Sequence, residues 1–133
     1  MSHSFPLRVY YEDTDLAGIV YYANYLKFIE RGRSEWVRDL GIDQMALKET
    51  QGVVFAVRRV EADYLRPAKF GEDLQVVTRL RELSGARIVV EQSVLREGEP
   101  LFEALVTLVC LGANGGPARL PQDVKAAFAK ADH

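Results

Sequence analysis

The chain reads as an α+β domain in which a five-stranded antiparallel sheet wraps around one long helix. Three features lead to that reading. A single stretch, from about Val20 to Leu40, repeats its apolar residues at steps of three and four. Four runs rich in Val, Leu, Ile and Phe then follow one another, and two of the breaks between them are only two or three residues long. A parallel crossover needs about a dozen residues, so such breaks join antiparallel neighbours. The last run, Ala104–Leu111 (ALVTLVCL), is apolar on both faces and needs cover on both sides. One helix covers one face of such a sheet, which leaves the other for a second copy of the chain.

The elements follow in order. Phe5–Tyr11 alternates, with Phe5, Leu7, Val9 and Tyr11 set against Arg8 and Tyr10, as a half-buried strand does. A loop, Glu12–Gly18, leads into the long helix. Tyr25, Ile29, Trp36, Val37 and Leu40 mark its apolar stripe, and Lys27, Glu30, Arg31, Glu35 and Arg38 take the opposite side. Gly41 ends it. Gly32 lies on the apolar stripe, where it costs roughly 1 kcal/mol of helix propensity against Ala. The reason read here is a close approach of the helix to the sheet. A second short helix spans about Asp43–Thr50, closed by Gly52. The four strand runs are Val53–Leu65, Leu74–Leu83, Ala86–Glu97 and Leu101–Leu111, broken by Arg66–Asp73, Ser84-Gly85 and Gly98-Glu99-Pro100. Alternation slips at Arg58-Arg59, which predicts a bulge. Gly112–Gly116 is a loose turn, and Pro121–Ala131 a terminal helix.

Composition narrows the chemistry. At 133 residues, 48% apolar and 27% charged, the chain is one ordinary globular domain spanning residues 1–133. A net charge of −2 without a basic block argues against nucleic acid as a partner. No apolar run is long enough for a transmembrane segment, and the N-terminus lacks a signal pattern, so the expected location is cytoplasmic. The lone Cys110 agrees, since it allows no internal disulfide. Both histidines, His3 and His133, fall in terminal segments expected to fray. That removes Ser-His-Asp and Cys-His devices and leaves too few ligands for zinc. Catalysis has to run on carboxylates, backbone amides, hydroxyls and water, with no cofactor and no metal.

The stretch Tyr10–Arg33, YYEDTDLAGIVYYANYLKFIERGR, supplies those groups. Glu12, Asp13 and Asp15 lie just before the helix. A carboxylate there can act as base or nucleophile, while free N–H groups at a helix start can hold a developing oxyanion. Glu12 and Asp13 read as hydrogen-bonding groups within the loop. Asn24 and Tyr25 read as helix-start packing and loop bonding, Tyr64 as packing near a pocket, and Trp36 and Cys110 as core. A phosphatase reading of Asp13-Thr14-Asp15 fails because βα units do not follow. A calcium loop fails because Asn24 stands where a Glu is needed, twelfth from Asp13.

The same stretch resembles the signature of the hydroxybenzoyl-CoA thioesterase-like hotdog superfamily, and within it the Tol-Pal-associated acyl-CoA thioesterase branch. FAVRRVEADYLRPAKFGEDL and ALVTLVCL resemble that family's central and last strands, so the likeness covers about residues 5 to 125. The resemblance implies a hotdog fold and an acyl-CoA thioesterase acting on an acyl- or aroyl-CoA, as a homo-oligomer, dimer or dimer of dimers (a homotetramer). Acyl carrier protein is the alternative carrier of the thioester. It implies Asp15 as the carboxylate that attacks or activates water, and the backbone N–H of Tyr22 as the amide that polarises the carbonyl. Arg87, with Ser84 in the same turn, is the implied site for the CoA phosphates at a subunit boundary. Tyr64 and Asn24 complete the implied substrate-binding set. Tyr22 departs from the Tol-Pal branch, which often carries His there, and looks like the hydroxybenzoyl-CoA branch. A non-catalytic acyl-CoA or acyl-carrier-protein binding module, associated with an envelope complex, is the alternative.

Overall fold

In the computed structural model, which describes residues 2–131, five strands form a single antiparallel sheet. The elements are β1 (Ser2–Arg8), α1 (Asn24–Asp39), α2 (Gln44–Gln51), β2 (Val54–Tyr64), β3 (Asp73–Leu83), β4 (Arg87–Arg96), β5 (Glu99–Leu111) and α3 (Gln122–Lys130). The strand order is β1-β3-β4-β5-β2, so β1 and β2 are the edges. The α+β class and the five-strand sheet around one long helix are as read from the sequence.

Helix α1 crosses β1, β3 and β4. Its buried side, Phe28, Ile29, Gly32, Trp36 and Val37, shares one core with Val76, Ile88, Val90, Val94 and Val106 of the sheet. Gly32 sits where helix and sheet come closest: a Cβ built on it would lie 2.4 Å from Val76 Cγ1. The glycine is there because a side chain does not fit.

Beside that crossing the core is polar. Gln92, on β4 and almost fully buried, donates from Nε2 to Ile29 O at 2.8 Å and to Thr78 Oγ1 at 2.9 Å. Its Oε1 accepts from Arg33 Nη1 at 2.9 Å. One side chain therefore ties the helix backbone, a helix side chain and β3 together, and leaves no buried amide atom unpaired. The helix stops where Gly41 takes φ +85°. Gly41 N–H donates to Arg38 O at 3.0 Å and Ile42 N–H to Val37 O at 3.3 Å, a Schellman end. At the far side Phe128 of α3 packs on Trp36 and Phe55, with ring centroids 5.4 and 5.9 Å apart.

The expected bulge is present, as a register shift between Val57 and Arg59. Most boundaries differ by about a residue, and the first strand begins at Ser2 and not Phe5. The first strand ends at Arg8 and not Tyr11, because Val9 pairs with the 71–72 turn (Val9 N–H to Glu72 O, Gly71 N–H to Val9 O, both 2.9 Å) and Tyr10 starts a 3-10 turn. The helix starts at Asn24 and not Val20, because Ile19 and Val20 are bridged to Lys69 and Thr14. Between β4 and β5 the turn is Glu97-Gly98, with φ of +49° and +81°, and Glu99 and Pro100 already belong to β5. That pair of positive angles is the hairpin geometry that matches strand twist.

His3 is not frayed: it pairs with Thr78 across β1 and β3, and its Nε2 lies 2.7 Å from Asp39 Oδ2. His133 lies outside the described residues. Among the described residues no helix is long and apolar enough to cross a membrane. Two surfaces stay open in the single chain. Every residue of β2 from Val57 to Tyr64 is exposed, and on β5 the outward Leu105, Thr107, Val109 and Leu111 are only half-buried.

Candidate active site

The loop from β1 to α1 folds back on itself twice. First comes the 3-10 turn Tyr11–Asp13. Asp13 Oδ2 accepts the Tyr10 N–H at 2.8 Å, and the Thr14 hydroxyl donates to Tyr11 O at 2.7 Å. The Asp13 carbonyl accepts twice more, from Tyr21 N–H and from Asn24 Nδ2, each at 2.9 Å. Asp13 is thus a loop-binding residue, as read. Asn24 spends its side-chain amide on the same task.

The second fold is a tight hairpin, Asp15–Ile19. Asp15 N–H donates to Ile19 O at 2.9 Å and Gly18 N–H to Asp15 O at 3.0 Å. Gly18 makes it possible with φ +80°. Asp15 Oδ1 accepts the Ala17 N–H at 2.9 Å, which fixes the carboxylate over the hairpin. Its other oxygen has no partner among the described residues, and the side chain faces solvent.

The hairpin leads directly into the helix start. There the N–H groups of Tyr21 and Asn24 are taken, by Asp13 O at 2.9 Å and Tyr21 O at 2.8 Å. Those of Tyr22 and Ala23 meet no acceptor among the described residues. The Tyr22 carbonyl is held from the other side by the Tyr64 hydroxyl at 3.1 Å. Tyr64 sits in an aromatic cluster, its ring 6.1 Å from Tyr22, 5.6 Å from Tyr25 and 5.0 Å from Phe102. Partial loss of hydration within that cluster lifts the Tyr64 phenol above its ordinary value, with the neighbouring Tyr22 adding to this, so it stays a donor at neutral pH. Cys110 is excluded as a nucleophile: burial pushes its thiol up to about 11, and no charged group among the described residues offsets that.

An open carboxylate oxygen and unpaired helix-start amides on one loop form an arrangement suited to addition at a carbonyl. Comparison with known proteins supplies the family. The thioesterase-like superfamily profile matches residues 9–128. The chain is 44% identical to the acyl-CoA thioesterase YbgC of Haemophilus influenzae, over 94% of this chain and 93% of that protein. The chain belongs to the thioesterase-like superfamily. The crystal structure of a probable thioesterase from Bartonella henselae superposes with a TM-score of 0.87 at 41% identity, covering 91% of this chain and all of that one. A Thermus thermophilus thioesterase complexed with coenzyme A and zinc superposes at 0.82 and 30% identity, over 98% of this chain and 93% of that one. The fold is therefore the hotdog fold of this superfamily.

Within this thioesterase-like chain the sequence-derived site residues fall into two groups. Asp15, Tyr22, Asn24 and Tyr64 gather at the end of the sheet where β1 stops and β3 begins. Ser84 and Arg87 do not join them. They close the turn at the other end of β3, eleven residues away along a strand, a distance of roughly 30 Å. The Ser84 N–H donates to Arg87 O at 2.9 Å, and the Ser84 hydroxyl accepts Arg87 N–H at 3.2 Å. The Arg87 side chain is exposed. Tyr25 bonds a loop, as the sequence reading has it, and two further residues that bear on the loop, Glu72 and Arg96, carry no such signal in the sequence. Tyr25 uses its hydroxyl to accept the Ala68 N–H at 3.0 Å. Glu72 and Arg96 grip the same turn but stand 24 positions apart, and no local pattern pairs them.

Proposed function

We propose that the chain is an acyl-CoA thioesterase, hydrolysing an acyl- or aroyl-CoA thioester to the free acid and CoA. The Tyr22 N–H polarises the thioester carbonyl. Asp15, acting as base, takes a proton from water as the hydroxide adds to the carbon. The oxyanion collapses and the C–S bond breaks, releasing CoA thiolate. Acting as nucleophile instead, Asp15 displaces the thiolate and forms an anhydride that water then opens. Either route needs little acid help, because a thiolate leaves easily near neutral pH. The observation that carries this reading is the exposed Asp15 oxygen on the same loop as the free Tyr22 amide. The Haemophilus relative's thioesterase name and the coenzyme A bound to the Thermus protein support the substrate class.

The test is release of free thiol from acetyl-, butyryl-, lauroyl- and benzoyl-CoA, followed with a thiol reagent. Turnover of at least one, far above the rate without protein, is expected. Binding of these esters with no thiol release would instead leave a non-catalytic acyl-CoA binding module.

The active form in this reading is a homo-oligomer. The long exposed edge of β2 carries Val57, Val60 and Tyr64, an open template for a second strand. A single chain also keeps Arg87 far from Asp15, so a CoA tail reaching basic residues at that turn would meet a partner's copy. Light scattering is expected to give a multiple of the 15.0 kDa chain mass. A particle of 15.0 kDa that retains full turnover would remove the oligomer from the proposal.

A further inference from the structure

We propose that Arg96, clamped on Glu72, is a positioning residue for the loop that carries Asp15. The inference rests on the reading of Asp15 as the catalytic carboxylate. The Asp15–Ile19 hairpin has little packing of its own: Leu16 is fully exposed, and Asp15, Ala17 and Gly18 face solvent. What holds it is a second loop, residues 65–72, docked alongside. Val20 N–H donates to Ala68 O at 2.8 Å, Ile19 is bridged to Lys69, and Ile19 O in turn accepts the Asp15 N–H at 2.9 Å. Ala68, fully buried, also donates its N–H to Tyr25 in the first turn of α1. The acid and the helix start thus take their positions from the same two or three residues, Ala68 and its neighbours.

Arg96 closes that docking loop from beneath. Its Nη1 donates to Pro67 O at 3.2 Å and to both Glu72 oxygens at 2.9 and 3.1 Å, while Nη2 donates to Glu99 Oε1 at 3.1 Å. Glu72 Oε1 also accepts the Lys69 N–H at 2.7 Å. One planar guanidinium therefore joins the start of the loop (Pro67), its tip through Glu72 (Lys69), and the strand on which it stands. Burial works to raise the Glu72 carboxyl, but the Lys69 N–H and Arg96 outweigh it and hold it below the ordinary value. The pair is therefore ionised at neutral pH. Removing the fork frees the loop at Pro67 and leaves Glu72, which holds the Lys69 N–H, without its own anchor; Pro67 and Lys69 flank the residue that fixes Val20. Small displacements of a catalytic group are costly in rate even when the fold survives.

The experiment compares Arg96→Met, Arg96→Lys, Glu72→Gln and Asp15→Asn with the wild type, using whichever of the four CoA esters above the wild type turns over fastest. For Arg96→Met we expect kcat to fall roughly 10- to 100-fold, well below the melting temperature, with KM little changed. Arg96→Lys should recover part of that loss, since Lys keeps the charge but reaches fewer of the acceptors. Combining Arg96→Met with Glu72→Gln should cost little more than the worse single change, because both act through one loop. Wild-type kcat in Arg96→Met, or losses that track only the unfolded fraction, would overturn the positioning role. If Arg96→Met does not fold, Arg96→Lys and Glu72→Gln decide by the same criteria. Near-normal turnover by Asp15→Asn would sink the catalytic reading itself, a result separate from loss of the Arg96 effect alone.

Discussion

Asp15→Asn is expected to lower kcat roughly 1,000-fold while leaving the fold and KM nearly unchanged. The geometry makes this substitution a clean probe. Asn keeps an Oδ1 that can accept the Ala17 N–H, which lies 2.9 Å from Asp15 Oδ1, so the hairpin retains its internal bond. The side chain is exposed, so removing its charge leaves no buried group stranded. What is lost is the capacity of the free oxygen to take a proton or attack a carbon. An amide does neither at useful rates. Tyr22→Phe supplies the contrast: the polarising group is the backbone N–H, which every substitution but Pro preserves, so turnover should stay within about tenfold. Steady-state kinetics on the best CoA ester checks both. An Asp15→Asn protein with near-wild-type kcat would remove Asp15 from the chemistry. Single turnover in 18O-labelled water then tests the covalent route. Label in the Asp15 carboxylate requires an anhydride opened at the Asp15 carbon, whereas label confined to the product acid is given both by direct attack of water and by an anhydride opened at the acyl carbon.

The features legible in the sequence were those set by local pattern or by exclusion. The helical period from Tyr25 to Leu40, the slip at Arg58-Arg59 and the stop at Gly41 each follow from backbone rules that act within a few residues. So does the assignment of Asp13 to loop bonding, since an acid three residues from a free N–H commonly folds back on it. The start of the helix is not legible for a related reason. Val20 and Tyr22 continue the apolar rhythm, yet Val20 is buried by pairing with Thr14 and Ala68 and not by any turn of helix. Bridges to distant segments carry no signature in a single chain. The same limit hid Arg96, whose partners Pro67 and Glu72 are brought near it only by the β3–β4 pairing. Arg87 shows the converse: its turn is legible as a link between two strands, but which end of the sheet that turn occupies depends on topology.

The largest stability effect is expected at Gly32. Gly32→Ala sets two terms against each other. Ala gains roughly 1 kcal/mol in helix propensity, which alone would stabilise α1. Its Cβ, however, would sit 2.4 Å from Val76 Cγ1 and 2.9 Å from Val76 Cβ, far inside contact distance. Neither neighbour can yield cheaply, because Val76 is fully buried on β3 with a branched, stiff side chain. The helix must lift from the sheet, and overpacking of this kind costs about 1–3 kcal/mol. The clash wins, and more so in Gly32→Val, where two further methyls bring the expected loss to about 3 kcal/mol or beyond. Lifting the helix also strains the Gln92 bonds to Ile29 O and Arg33, which lie one turn or less from Gly32. Urea or thermal unfolding of Gly32→Ala, Val76→Ala and the double variant measures the coupling. Val76→Ala should be costly by itself, yet far less so in the Gly32→Ala background, where it opens the space the new methyl needs. A Gly32→Ala chain that melts at or above the wild type would mean that helix and sheet separate without penalty, and the close crossing would then contribute nothing to stability.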